Sequence, residues 1–328
     1  MVHSIRIIIR WLSFGSEPNL FQRYHPLRRL VHWYHSRIVN AHISKDLDKR
    51  YDLHRTREAE NATGVKYTKT IVDLALSTYT SQSEDKSTHP ATSLDPFFKR
   101  ICMSQIKLFL FSGHDTTSSA ICFHLYLISK HESVLARLRA EHDSVFTTDT
   151  GRTASLISSS PHLLSQLPFT TAIIKESLRL FPTVTISREG ERGFHVTDQA
   201  GHRFPTEGFL VFPNIHTPQH DPAFWPQADA FLPDRWLVGP EDPLYPVKGA
   251  WRAFEHGPRA CIGQELAMLE MKTVLVMVAR TFDFRPAYEE LDKQRGGIVR
   301  TVHGERAYQV QMMQPQGDLP CRVESVGM

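Results

Sequence analysis

The sequence predicts a mainly α-helical fold with small β-sheets, which places it in the α+β class. Two patterns lead to this prediction. A long apolar stretch, residues 96–130, has the length and composition of a helix, whereas residues 188–213 alternate short apolar runs with turn sequences. The chain has 328 residues, of which 41% are hydrophobic and 22% charged, so its composition is that of an ordinary globular protein.

Charge and cysteine content narrow the classes of function. The 38 basic and 35 acidic residues are interspersed and give a formal net charge of only +3, which does not indicate a nucleic-acid partner. The sequence has no run of about 20 apolar residues that could span a bilayer. Four cysteines lie far apart without a Cys-x-x-Cys pair and predict neither a zinc knuckle nor a disulfide framework: Cys102, Cys122, Cys261 and Cys321.

The order of elements divides the chain into two parts. Residues 1 to about 60 favour helix, and residues 80–95 form a polar stretch without helical or strand periodicity, typical of a linker. We therefore predict a partial N-terminal helical region with a polar linker, residues 1–95, followed by a larger core, residues 96–328.

The larger core is predicted to be helical first and to contain strands later. Its long first helix is followed by an amphipathic helix with apolar residues on one side. Another helix is stopped by Phe181-Pro182, because proline cannot continue a helix. The predicted elements are helices over residues 96–130, 133–146 and 163–180, strands and hairpins over 188–213, proline-rich loops to 257, a helix over 262–282 and strand-like pieces to the end.

The run Phe254-Glu255-His256-Gly257-Pro258-Arg259-Ala260-Cys261-Ile262-Gly263 is the strongest functional signal. Its glycines permit turns and close approach of the backbone. Cys261 stands just before a predicted helix, where unpaired N–H groups and the helix dipole favour a metal-binding thiolate. Arg259 can reach a carboxylate that lies beside a metal plane. A cysteine in a loop is, by itself, more often only a free thiol.

This run resembles the cysteine loop of the cytochrome P450 family, F-x-x-G-x-R-x-C-x-G, at every specified position. The family holds its haem through a cysteine thiolate. The resemblance implies that Cys261 ligates the iron of haem b and that Arg259 pairs with a haem propionate. It also implies that Phe254 shields the sulfur and that Gly257 and Gly263 complete the cofactor-binding loop.

Two further motifs precede the cysteine loop in the order that the family has. Glu176-Ser177-Leu178-Arg179 places opposite charges three residues apart on one helix face. Apolar neighbours predict that this pair is partly buried and needs a further partner. Phe231-Leu232-Pro233-Asp234-Arg235-Trp236 resembles the family's meander motif. The resemblance implies a structural cluster of Glu176, Arg179 and Arg235.

The long helix carries Ser112-Gly113-His114-Asp115-Thr116-Thr117, which resembles the family's oxygen-binding motif A/G-G-x-D/E-T-T/S. A glycine and adjacent threonines favour a distorted helical turn. The resemblance implies that Thr116 is the alcohol of oxygen activation and that Asp115 relays protons. Ser112 departs from the Ala or Gly that is usual there. Arg188 lies where the family often has a second propionate-binding arginine.

The segment His216-Thr217-Pro218-Gln219-His220 has the H-x-x-x-H spacing of some zinc sites. Its proline argues against a zinc-binding helix, and the sequence shows no third ligand. The segment aligns with a region where the family often reads His-Arg-Asp-Pro. Gln219-His220-Asp221-Pro222 departs from that pattern, and we assign it no catalytic role.

The resemblance covers about residues 10–325 and begins partway into the family's fold, so we expect the N-terminal helices and membrane anchor to be lacking. It implies a haem-thiolate monooxygenase that inserts one atom of O2 into a small apolar organic substrate, with electrons from NADPH–cytochrome P450 reductase. Several phrases resemble filamentous-fungal members of secondary metabolism. The implied location is the cytosolic face of the endoplasmic reticulum membrane, or the cytoplasm. The alternatives are a truncated inactive haem-binding remnant and a peroxide-rearranging family member.

Overall fold

The computed structural model describes residues 1, 3–5, 7–8, 25–60, 70–83, 93–184, 187–295 and 319–326. It confirms the mainly α-helical fold with small sheets. The helices are α1 Arg28–Glu60, α2 Ile71–Ser83, α3 Pro96–Lys130, α4 Glu132–Phe146, α5 Thr153–Ser159, α6 Pro168–Leu180, α7 His216–Gln219, α8 Gln264–Val278 and α9 Tyr288–Arg295.

The described strands form three antiparallel pairs. β1 Arg188–Glu189 pairs with β4 Leu210–Val211, and β2 His195–Thr197 pairs with β3 Arg203–Pro205. β5 Phe282–Pro286 pairs with β6 Cys321–Ser325 over five residue pairs, so the end of the described chain returns to the strand that follows α8.

The chain divides into two compact units, Met1–Ser112 and Gly113–Met328, and the division falls inside α3. In the first unit, Leu47 and Tyr51 of α1 pack with Leu76 of α2 and with Leu94. A ring stack between Tyr79 and Phe98, with centroids 4.2 Å apart, extends this core.

The second unit has a larger core that positions the candidate site. Helices α3, α6 and α8 contribute Phe123, Ile173 and Leu275, which are at most 3% exposed. A smaller cluster around Phe146 and Val276 lies between α4 and α8. The helix that carries the Glu-x-x-Arg motif, α6, therefore lies in the centre of this unit.

Two predicted helices differ from the structure for identifiable reasons. The helix predicted over residues 163–180 is split: a 3₁₀ turn ends at Ser165, and α6 begins at Pro168. A residue before proline avoids the helical conformation, and Leu167, with φ of −121° and ψ of 69°, is accordingly not helical. The Glu141 carboxylate then caps α6 by accepting the N–H groups of Phe169 and Thr170.

The segment after the cysteine loop also differs from its prediction. The helix predicted over residues 262–282 begins at Gln264 and ends at Val278, because β5 begins at Phe282. Residues 288–295 were included in the strand-like pieces predicted for the end of the chain, but they form the helix α9. The polar linker predicted over residues 80–95 falls mostly outside the described residues, and its first residues, 80–83, belong to α2.

Two buried histidines make the stability of the second unit depend on pH. Burial lowers the pKa of His124 to about 3. Burial, followed by the positive charge of Arg280, lowers the pKa of His142 to about 3. His142 Nε2 lies 2.9 Å from the hydroxyl of Thr170, whose own proton goes to Glu141, so His142 is the donor there.

We therefore expect the free energy of unfolding to fall as the pH drops below about 6.5. The reason is that these histidines bind protons in the unfolded chain at pH values where they stay neutral in the folded one. The loss is about 2 kcal/mol per histidine at about pH 5. Urea unfolding at several pH values measures it. His142→Gln should remove the contribution of this one histidine to the pH dependence of the unfolding free energy. The same change at exposed His162 should leave that pH dependence unchanged. If the unfolding free energy of His142→Gln depended on pH as steeply as that of the native chain, burial of His142 would not be a cause of this dependence.

Candidate functional site: the cysteine loop and its supports

The cysteine loop, residues 254–263, is closed by its own backbone. The N–H of Cys261 donates to the carbonyl of Phe254 at 2.9 Å, and residues 257–259 form a 3₁₀ turn between them. Gly257 enters that turn with φ of +78°, a conformation that favours glycine. The conformation of this turn therefore explains why the motif has a glycine at position 257.

The thiol of Cys261 is exposed at the start of α8. Gly263 is the N-cap of this helix, and a Cβ atom on it would lie 3.8 Å from the cysteine Sγ. The sulfur therefore lies over the helix N-terminus, where free N–H groups and the helix dipole favour a negative charge. Ile262 is 89% exposed and gives the same surface an apolar side chain, while Arg259 is an exposed cation.

Gly257→Ala is expected to destabilise the loop by about 1 kcal/mol through backbone strain alone. A Cβ atom at Gly257 meets no atom within 4 Å, so steric overlap does not contribute. Gly239 has equally open space without a positive φ, and Gly239→Ala serves as the matched control. Urea unfolding of both variants measures the difference, and equal stability of the two would show that the loop does not need the positive φ.

A buried charge cluster supports the loop from α6. Glu176, Arg179 and Arg235 are all 0% exposed. Glu176 accepts five hydrogen bonds of 2.9–3.1 Å: two from Arg179 and one each from Arg235 Nε, the Leu232 N–H and Trp236 Nε1. Burial lowers the pKa of Arg235, and the charge of Glu176 opposes that shift.

Arg179 also ties α6 to the segment that precedes the loop. Its guanidinium donates to the carbonyls of Gln219, Ala228 and Ala230 at 2.6–3.1 Å. The three residues predicted as a structural cluster are thus in direct contact, and their hydrogen bonds fix the irregular backbone between α7 and residue 236.

Aromatic side chains connect this cluster to the cysteine loop. The ring of Trp236, whose N–H donates to Glu176, meets Trp251 edge to face at 5.6 Å. Trp251 in turn meets Phe254 edge to face at 5.8 Å and donates its N–H to the Lys175 carbonyl at 3.1 Å. A continuous set of packed groups therefore links α6 to the residue whose carbonyl holds Cys261.

The turn with Asp115 and Thr116 lies in α3, within the second unit. Asp115 Oδ1 lies 2.7 Å from Nδ1 of His114, and Thr116 is half-buried. Further along the same helix, His124 Nε2 lies 3.1 Å from the sulfur of Met271 in α8. The helix with the acid and alcohol therefore packs directly against the helix that follows the cysteine loop.

Arg188 begins β1 opposite Val211 and is exposed. Its guanidinium donates to the carbonyl of the preceding Ser187 at 3.2 Å. Within the described residues, no group of three or more His, Cys, Asp or Glu side chains could hold a metal ion. His220 Nδ1 lies 3.0 Å from the Asp229 carboxylate, and its Nε2 lies 3.0 Å from the Leu180 carbonyl.

Comparison with known proteins agrees with the fold and with the cysteine loop. The sequence model of the family "Cytochrome P450" matches residues 1–312, so this chain belongs to the cytochrome P450 family. It is 39% identical over 322 residues to cytochrome P450 monooxygenase polC of Polytolypa hystricis. It is 34% identical over 334 residues to cytochrome P450 monooxygenase acrF of Aspergillus aculeatus.

These alignments cover 97% and 94% of this chain but only 56% and 63% of the two relatives, so the chain spans little more than half of their length. A crystal structure of a cytochrome P450 has the same fold, with a TM-score of 0.68 and 22% identity, covering 99% of this chain and 64% of that one. No helix among the described residues is both long enough and apolar enough to cross a membrane.

The residues of the cysteine loop fit the cofactor that the family binds. An accessible sulfur is the ligand type that this family offers to haem iron. The exposed Ile262 suits the apolar face of the macrocycle, and Arg259 suits a carboxylate at its edge. The open space over Gly257 leaves room for a flat group beside the loop.

Sequence reasoning missed three residues that support the site: Trp236, Trp251 and Gln219. Trp236 ends the meander motif but was given no role there, and Trp251 stands in a stretch that was predicted only as proline-rich loop. Their signal was available, because tryptophans without helical or strand periodicity usually mark a buried contact with a hydrogen-bond partner. Gln219 gave no signal, since its partners are distant in sequence.

Proposed function

We propose that this chain carries the haem-thiolate site of a monooxygenase that inserts one atom of O2 into a small organic substrate. The observation that carries the proposal is the exposed sulfur of Cys261, held over the first turn of α8 by the bond from its N–H to Phe254. Membership of the cytochrome P450 family and the monooxygenase relatives support it.

In this proposal Cys261 would supply a thiolate ligand to haem b, and Arg259 and Arg188 would bind its propionates. Bound haem supplies the site where O2 is reduced, and a thiolate ligand favours cleavage of the O–O bond. Phe254, whose ring meets Trp251 edge to face at 5.8 Å, is proposed to shield the sulfur. Gly263 leaves space beside the sulfur, and Gly257 is proposed to leave space for the cofactor at the turn of the loop.

Asp115 and Thr116 are proposed to handle protons. The imidazole of His114 is 44% exposed and the carboxylate of Asp115 is 19% exposed. The 2.7 Å contact between them lets a proton pass from the half-exposed ring to the more buried acid. Thr116, the next residue, would present its hydroxyl to the oxygen site.

The wider assignments rest on the same resemblance. We propose NADPH–cytochrome P450 reductase as the electron donor and an apolar substrate of fungal secondary metabolism, in line with the fungal relatives. The proposed location is the cytosolic face of the endoplasmic reticulum. Residues 96–328 would form the haem-binding core and residues 1–95 a partial N-terminal region.

Consumption of O2 tests the proposed reaction. With haem, NADPH and a reductase present, the chain should consume O2, and Thr116→Ala should raise the share released as hydrogen peroxide about tenfold or more. Exposed Ser118 in the same turn provides the matched control, and Ser118→Ala should leave that share unchanged. A peroxide share that is independent of Thr116 would contradict its proposed role.

Two rival functions predict different results in the same experiment. A peroxide-rearranging member would turn over an organic hydroperoxide without NADPH or O2. An inactive remnant would do neither, even when haem is bound. The acid–alcohol pair Asp115–Thr116 favours the monooxygenase, because a rearrangement of peroxides does not require protons to be delivered to O2.

A further inference from the structure

Gln219 is a buried amide at the end of α7, and it is 0% exposed. Its side-chain NH2 group donates to the carbonyl of Arg179 at 3.3 Å and, more loosely, to that of Leu178 at 3.5 Å. Its side-chain oxygen accepts the backbone N–H of Arg252 at 3.1 Å. One side chain thus contacts two segments that lie more than 30 residues away on either side.

The first two partners are carbonyls that the helix itself leaves unpaired. The Leu178 carbonyl would accept from the N–H of residue 182 if α6 continued, but residue 182 is a proline and has no N–H. A buried carbonyl without a donor is destabilising, because it has lost its hydrogen bond to water, so an outside donor is needed. Gln219 provides it at the C-terminal end of α6.

The third partner is the residue that leads into the cysteine loop. The side chain of Arg252 donates to Glu255 through Nε at 3.2 Å and Nη2 at 2.7 Å. Glu255 has φ of +56°, which non-glycine residues seldom adopt, and this ion pair holds it there. Glu255 directly follows Phe254, whose carbonyl accepts the N–H of Cys261.

The pairing also fixes which end of the amide faces which partner. The two carbonyls of α6 need a donor, whereas the Arg252 N–H needs an acceptor. An aliphatic side chain offers neither group, and asparagine is one methylene too short to reach both sides. A neutral imidazole offers one donor and one acceptor.

We infer that Gln219 is a positioning residue for the cysteine loop: its buried amide fixes the segment entering the loop to the C-terminal end of α6. It acts through Arg252 and Glu255 and does not touch the cofactor. The inference rests on the proposed function only for the reason why the place of Cys261 matters. The contacts themselves can be tested in the haem-free chain.

Amide hydrogen exchange at Arg252 is the direct measurement. We expect Gln219→Met and Gln219→Asn to speed exchange at Arg252 about tenfold relative to the amide of Leu275 in α8, because one buried hydrogen bond is lost. Gln219→His should restore exchange to within about threefold of the native rate, because it keeps a donor and an acceptor. Gln166 is exposed, and Gln166→Met, the matched control, should change neither amide.

Two results would overturn the inference. One is unchanged relative exchange at Arg252 in both the Met and Asn variants. The other is equal acceleration at Arg252 and Leu275, which would show general loosening of the unit instead of a local release. If Gln219→Met does not fold, the Asn and His variants give the same comparison. If the native chain takes up no haem, the proposed function fails, while exchange at Arg252 still decides the role of Gln219.

Discussion

Glu176→Gln is expected to destabilise the second unit by about 3–5 kcal/mol. The change removes one charge and turns two hydrogen-bond acceptors into one acceptor and one donor, although five donors point at this side chain. Two guanidinium groups, those of Arg179 and Arg235, would remain buried without their counter-charge. Breaking such a buried ion pair costs about 3–5 kcal/mol.

That loss is a large share of the about 5–15 kcal/mol by which a domain is usually stable. Urea unfolding followed by circular dichroism measures it. Glu132 is exposed in the first turn of α4, and Glu132→Gln should change stability by no more than about 0.5 kcal/mol. Equal urea midpoints for Glu176→Gln and the native chain would show that the cluster does not hold this part of the fold together.

Cys261→Ser is expected to change the stability little but to change the binding of the cofactor strongly. The side chain is exposed, so the unfolding free energy should change by less than about 0.5 kcal/mol. A serine hydroxyl does not replace a thiolate as an iron ligand, so the absorption band that is characteristic of a thiolate–haem complex with CO should disappear.

Cys321 provides the matched control, because it is also exposed but lies in β6, away from the loop. Cys321→Ser should keep this band with unchanged intensity. A Cys261→Ser variant that retains this band would show that another group ligates the iron.

Elements with a strong local pattern were predictable from the sequence. The long helix has the bounds that its apolar composition indicated, Pro96–Lys130, and the turns between residues 188 and 213 produce the expected short strands. The cysteine loop could be identified because its glycines, arginine and cysteine occupy fixed positions within ten residues. In each case the controlling interactions lie within a few residues of one another.

Features that depend on distant partners could not be read from local pattern. The start of α6 depends on Pro168 and on a carboxylate 27 residues earlier in the sequence, Glu141. The same holds for Gln219, whose three side-chain partners lie 33–41 residues away. The third member of the charge cluster, Arg235, was predicted only because a family motif supplied the long-range information.

The role proposed for Cys261, a thiolate ligand to haem, can be tested directly. The most direct measurement is the absorption spectrum of the haem-loaded chain, reduced and exposed to CO. We expect the Soret band of a thiolate–haem complex with CO to appear with one haem per chain and to be lost in Cys261→Ser. Failure of the native chain to take up haem, or a band that does not depend on Cys261, would contradict it.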